Sequence, residues 1–331
     1  MTVLPYSGVP IFNEDGTFRK EDDVVQGRSY SSNLTKLLKQ LPKLENLQKG
    51  KPPSPVMAHI SLTNYCNLTC SFCCFANRDI SEKMPTEKVL KALDSFRAVG
   101  VTGVEFTGGG EPSIHPDFKK IVRYAKDLGF SLGICTNAAR FGMDRPIKKD
   151  IVELFDWVRM GMYGFYEGYD YDLRVFEGTN CKPSAAYVWD ENLETSKNPN
   201  ITGEWTDVKN KRMLSKKFQT TENFIRMLDW VEENKIPCRI AFNAIKDVKE
   251  TAKDIETIRG IIHEYEEDRG RKLQSAFLSD FNFKGERRND HCYMHMVKPF
   301  LFTDGYVYAC PSAELSIENN YNYVPESQFA V

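Results

Sequence analysis

Cys66-Asn67-Leu68-Thr69-Cys70-Ser71-Phe72-Cys73, followed at once by Cys74, is the stretch from which the rest of the chain is read. Three residues and then two separate its first three cysteines, so one tight loop can aim three thiolates at a common point. Thiolates are the soft ligands that iron–sulfur clusters require. A cubane cluster has four irons, so three protein ligands leave one iron open to an outside ligand, which implies chemistry at the cluster beyond electron transfer. A structural zinc site wants four ligands, commonly as two Cys-x2-Cys pairs. The nearby candidates for a fourth are Cys74, His59 and His115. A disulfide knot fits poorly, because nine cysteines is an odd number in a long chain without a secretion signal. Cys74 reads as a small buried neighbour.

Outward from this loop the core alternates strands and helices. Strands are expected at 58–63, 103–107, 130–136, 158–162, 236–245 and 275–281, and helices at 86–96, 116–128, 146–155, 221–234 and 250–268. Such alternation predicts an α/β fold with a parallel sheet and right-handed crossovers. The first strand ends at the cysteine loop, at the carboxyl end of the sheet where sites in such folds lie. The second runs into Thr107-Gly108-Gly109-Gly110-Glu111-Pro112. Glycines there let the backbone approach a ligand closely, although a plain glycine-rich turn would read the same way. The third strand ends at Thr136-Asn137.

In this order these residues resemble the radical S-adenosylmethionine (radical SAM) superfamily. The resemblance implies a partial (β/α)6 TIM-type barrel with a 4Fe–4S cluster on Cys66, Cys70 and Cys73. It places Phe72 near the adenine of S-adenosylmethionine, and Gly109, Gly110 and Glu111 on the amino group of its methionine moiety. Asn137 is a further candidate contact. Gly161 stands where the family often has a serine that meets the cofactor, so a side-chain contact there is excluded and Asn243 becomes the candidate for the ribose. A packed or solvated strand end is the alternative for Asn137 and Asn243. The implied activity is reductive cleavage of S-adenosylmethionine to a 5′-deoxyadenosyl radical that abstracts a substrate hydrogen, with a flavodoxin or ferredoxin as electron donor.

Three regions flank or interrupt the core, which is taken as 55–285. Residues 1–54 read as an N-terminal extension and linker. They carry an Asp15-Gly16 turn after a short strand, and a helix whose Leu34, Leu37, Leu38, Leu41 and Leu44 form a stripe packing on the main domain. Residues 163–219 are expected as a long insertion after the fourth strand. Its Tyr163, Phe165, Tyr166, Tyr169, Tyr171, Trp189 and Trp205 either wall off a substrate or form a small core of their own. Its Lys209, Lys211, Arg212, Lys216 and Lys217 read as a solvated basic face or, more sharply, as a contact for a phosphate-bearing substrate. From 286 to 331 an Asp304-Gly305 β-hairpin lies between Cys292 and Cys310.

That tail resembles the SPASM and twitch extensions of radical SAM enzymes, which hold auxiliary iron–sulfur clusters. The resemblance is incomplete, because no cysteine follows Cys310. A longer native chain, ligands from elsewhere such as Cys181 or Cys238, or no second cluster are the expectations left open.

The charge balance, 44 basic against 46 acidic residues in 331, gives a net charge of −2 and no general pull toward nucleic acid or membrane. Apolar runs are too short for a membrane span, and the first residues lack the pattern of a signal peptide, so the reducing cytoplasm is the expected compartment. The tail favours a peptide or protein substrate; a nucleotide, sugar or other small molecule is the alternative. A non-catalytic metal-binding scaffold is the alternative of another class.

Overall fold

The computed structural model describes residues 40–51, 54–69, 73, 75, 79–138, 146–162, 171–189, 212–213, 220–242, 248–278 and 298–308. Seven strands run parallel and pair in chain order: β1 (Met57–Ile60), β2 (Gly103–Phe106), β3 (Ser131–Thr136), β4 (Trp157–Gly161), β5 (Lys182–Trp189), β6 (Cys238–Phe242) and β7 (Ala276–Leu278). On the outer edge of β1 lies a further parallel strand, β8 (Phe300–Leu301), which turns back into antiparallel β9 (Val307–Tyr308). Among the described residues the sheet has nine strands and is open, with β9 and β7 at its edges. The expected α/β partial barrel is thus what the chain forms.

The helices are α1 (Leu41–Gln48), α2 (Thr86–Ala98), α3 (Phe118–Asp127), α4 (Lys149–Val152), α5 (Thr221–Glu233) and α6 (Val248–Arg269). On α2, Val89, Leu93 and Phe96 recur at helical spacing and are buried. Thr220 caps α5 by accepting the Asn223 N–H at 3.1 Å, an arrangement worth about 1 kcal/mol.

Side chains alternate along each strand, and one set meets the helices. Ala58 and Ile60, Val104 and Phe106, Leu132 and Ile134, Val158 and Met160, and Ala185 and Tyr187 all join one core with α2 to α6. Phe106 meets Phe118 of α3 edge-on at 6.4 Å, and Tyr187 meets Phe224 of α5 at 5.5 Å.

Two elements differ from expectation. Within 163–219 the chain forms β5, a central strand, so α5 follows β5 rather than β4. Lys182-Pro183-Ser184-Ala185-Ala186 has little intrinsic strand preference, and its place is set by neighbours on both sides. Tyr171 and Trp189 accordingly belong to the main core. The Tyr171 hydroxyl donates to Gly161 O at 3.1 Å, and Trp189 meets Phe224 at 5.4 Å. The other aromatic residues and the lysines singled out in that segment lie outside the described residues.

The second difference is α1. Leu41 is 57% exposed, and Lys43 does the docking, donating to Pro55 O at 2.7 Å and Gly100 O at 2.5 Å. Leu34, Leu37 and Leu38 lie outside the described residues, as does the 8–16 turn.

Candidate functional site

β1 continues through Ser61–Tyr65 into Cys66. That path is fixed by a short antiparallel bridge: Asn64 N–H donates to Glu82 O at 2.9 Å and Met84 N–H to Leu62 O at 3.0 Å, around the pair Thr63 and Lys83. Cys66 and Cys73 are half-buried and in no disulfide. Cys70, Phe72 and Cys74 lie outside the described residues. Leu68–Thr69, inside the loop, pairs in parallel with Arg212–Met213.

The glycine motif is seated directly on this loop. Gly110 N–H donates to Thr63 O at 2.6 Å and Glu111 N–H to Tyr65 O at 2.9 Å. A Cβ on Gly110 would overlap the Tyr65 carbonyl, and one on Gly109, where φ is +58°, would overlap Ser61 Oγ. The close backbone approach that the glycines allow is therefore made to the cysteine loop itself.

Glu111 is 2% exposed, and its carboxylate accepts from Ser113 N–H at 3.1 Å, Thr136 Oγ1 at 2.7 Å and Asn137 N–H at 2.7 Å. Burial pushes its pKa up, and these donors partly offset the shift. Its orientation is set by the chain, independently of any ligand. Asn137 reaches back from the end of β3: Nδ2 donates to Asn67 Oδ1 at 2.7 Å and lies 3.6 Å from Cys66 Sγ. Ala138, next in sequence, takes φ +57°, a left-handed conformation costly for a residue with a Cβ.

Three of the motif positions, Gly110, Glu111 and Asn137, thus meet the cysteine loop or each other. Asn243, Cys292 and Cys310 lie outside the described residues.

The two histidines weighed for a zinc site meet other groups of the chain. His115 faces Met84 O through Nε2 at 3.0 Å and accepts the Asp117 N–H at Nδ1 at 3.2 Å, while His59 Nε2 meets Glu105 Oε2 at 2.8 Å. Burial pushes the Cys181 thiol up to about 12, and Cys238, also raised by burial, packs 3.8 Å from Met227 Sδ beneath α5. Both thiols are buried in the main core.

A buried polar group that sequence reasoning missed lines the sheet face opposite the helices. Glu105, on β2, faces His59 and lies 3.1 Å from Lys298 Nζ, while the Cys135 thiol lies 3.3 Å from its other oxygen. Arg159 completes the group, 3.7 Å from Cys135 Sγ and over the Trp157 ring. The signal was present: His59 and Glu105 interrupt apolar strands at the alternate positions, the pattern of a second buried face.

Burial alone would raise the Glu105 pKa, but His59, then Lys298 and Arg159, hold it well below the usual carboxylate range. A depressed carboxylate contributes stability that is present above its unfolded pKa and lost as pH falls through the folded one. Glu105→Gln should therefore cost on the order of 3 kcal/mol near neutrality, and its deficit relative to wild type should shrink below about pH 4.5. Urea titrations at the two pH values measure this; an equal deficit at both would show that the charge is not what matters.

Comparison with known proteins bears on this arrangement. The family model described as the radical SAM superfamily matches residues 60–168, the span that holds the cysteine loop, Glu111 and Asn137. The chain is similar to the S-adenosylmethionine-dependent nucleotide dehydratase of Selenomonas ruminantium, 31% identical over 98 residues, covering 30% of this chain and 35% of that protein. The chain spans about a third or less of the first curated relatives it matches.

Among solved structures, Streptococcus suis SuiB bound to S-adenosylmethionine matches with a TM-score of 0.53 at 19% identity, covering 88% of this chain and 68% of that one. SuiB bound to its precursor peptide SuiA matches at 0.52 and 16%, covering 89% and 68%. The likeness is one of fold, a mostly parallel sheet with helices. No described helix is long and apolar enough to cross a membrane.

The residues within the span that this family model matches fit the group that the family implies. The donors are soft thiols, two of them among the described residues and in no disulfide, and an amide N–H is aimed at one of the sulfurs.

Proposed function

We propose that this chain is a radical SAM enzyme in which Cys66, Cys70 and Cys73 hold a 4Fe–4S cluster and Gly109, Gly110 and Glu111 seat S-adenosylmethionine beside it. The observation that carries this reading is the pair of backbone hydrogen bonds stapling Gly110 and Glu111 to Thr63 and Tyr65. They bring the second motif to the entrance of the cysteine loop, which a metal-binding scaffold without S-adenosylmethionine would not need. With both groups bound, the chemistry supplied is one-electron cleavage of S-adenosylmethionine and removal of a substrate hydrogen atom. The chain's own part is to hold the loop, to aim the Asn137 amide at Cys66, and to keep Glu111 oriented. Phe72 beside the adenine and Asn243 at the ribose complete the proposed cofactor contacts.

For the substrate we favour a peptide, supported by the fold likeness to SuiB, a protein solved with its precursor peptide. The similarity to a nucleotide dehydratase favours a small molecule as the second reading. Cys292 and Cys310 are proposed ligands of a second iron–sulfur cluster, with a flavodoxin or ferredoxin as donor in a reducing, cytoplasmic setting.

The test is anaerobic reconstitution with iron and sulfide, followed by dithionite and S-adenosylmethionine. Release of 5′-deoxyadenosine is the expected result, and bound zinc without that product would overturn the assignment. About four irons per chain would leave the tail bare, and about eight would place ligands in it.

A further inference from the structure

The hairpin β8–β9 grips the cysteine loop at both ends. β8 lines the edge of β1, with His59 N–H donating to Pro299 O and Ser61 N–H to Leu301 O, both at 2.9 Å. Beyond Cys73, the Phe75 ring stacks on Phe302 at 6.3 Å and 13°, and lies 5.9 Å from Phe300. Before Cys66, Asn64 Nδ2 donates to Glu82 Oε2 at 3.1 Å, and the same oxygen accepts from Thr303 Oγ1 at 3.1 Å. Phe300 also packs on the glycine motif, where a Cβ on Gly108 would come within 2.7 Å of its ring. Consecutive hairpin residues, Phe302 and Thr303, therefore hold the residues that bracket the three cysteines.

We propose that Phe302 and Thr303 are positioning residues for the cluster, acting through Phe75 and through Glu82 and Asn64. This rests on Cys66, Cys70 and Cys73 being its ligands. A loop pinned at both ends has less freedom to open, and cluster potential responds to solvent exposure and to hydrogen bonds at the sulfurs. The hairpin is thus a working part of the cluster site, beyond any ligands that the tail itself supplies.

The test uses the full-length chain, reconstituted anaerobically, as wild type, Phe302→Leu, Thr303→Val and Thr303→Ser. Two readings are taken: the rate of iron loss to excess chelator, and the electron paramagnetic resonance spectrum of the dithionite-reduced cluster. Phe302→Leu and Thr303→Val should lose iron about three- to tenfold faster, the factor equivalent to one net hydrogen bond or a small packing loss, since Glu82 is exposed. Both should also show an altered spectrum, while Thr303→Ser restores wild-type behaviour.

Two controls separate positioning from general destabilisation. Tyr306→Ser changes a side chain of the same hairpin that is 66% exposed and should leave both readings alone. Leu93→Ala weakens the distant core and should lower the melting temperature without moving the spectrum. Wild-type iron loss and spectra in Phe302→Leu and Thr303→Val overturn the proposal, as does an equal change in Leu93→Ala. A wild-type chain that binds no cluster overturns this proposal together with the functional reading beneath it.

Discussion

Cys66→Ala should lower 5′-deoxyadenosine release by more than about a hundredfold and leave the reconstituted chain deficient in iron, with Cys70→Ala and Cys73→Ala behaving alike. The threshold is chosen against the 10–100-fold losses that follow removal of groups one layer outside a metal's ligands. Asn137→Ala removes such a group, since its amide lies 3.6 Å from Cys66 Sγ while the chain keeps its thiols. The two variants should therefore separate: a ligand variant without stable iron, and an Asn137 variant that keeps iron and loses part of its rate. Cys66 is half-buried, so its truncation removes little packing and the melting temperature should fall by only a few degrees. Iron analysis beside product analysis makes the distinction. A Cys66→Ala chain with full iron and wild-type product would remove Cys66 from the ligand set.

Gly110→Ala should weaken S-adenosylmethionine binding by about a hundredfold, an effect unusual for the addition of one methyl group. The added Cβ would meet the carbonyl of Tyr65, and a backbone atom cannot swing aside as a flexible side chain does. Relief requires the loop to withdraw, breaking the hydrogen bonds from Gly110 to Thr63 and from Glu111 to Tyr65. Two net hydrogen bonds at about 1 kcal/mol each, with an overpacking cost of about 1 kcal/mol, make about 3 kcal/mol, where each 1.4 kcal/mol is tenfold. Gly260→Ala is the contrast. Gly260 lies within α6 with nothing within 4 Å of a built Cβ, so that substitution should stabilise the fold by about 0.5–1 kcal/mol. Equilibrium dialysis with S-adenosylmethionine and thermal melts measure both. Undiminished binding in Gly110→Ala would mean that the stapled contact is incidental.

The alternating strands and helices of the core were legible in the sequence because apolar periodicity reports which face of an element is buried. Val89, Leu93 and Phe96 mark the inner face of α2, and Val104 with Phe106 mark that of β2, without any knowledge of partners. The order of the cysteine loop, the glycine motif and Thr136-Asn137 along successive strands was equally a property of the chain. β5 was not legible. Pro183, Ser184 and two alanines become a strand because β4 and β6 offer hydrogen-bonding edges on either side, and no local preference records that. The placement of the tail hairpin had the same character: Asp304-Gly305 announced a turn, but only pairing with β1 decided which edge it would cover.

What the sequence by itself determined is the set of chemical groups and their order: three thiols in one loop, glycines and a carboxylate after the next strand, and an amide after the third. Tertiary structure alone decided what those groups touch. It turned the glycines toward the cysteine loop, buried Glu111 among Ser113, Thr136 and Asn137, and set Glu105 against His59 and Lys298. It also laid Phe302 against Phe75 and Thr303 against Glu82, which holds Asn64. The reason is that spacing along a chain constrains only near neighbours, whereas contacts between residues dozens or hundreds of positions apart exist only once the sheet has set its register.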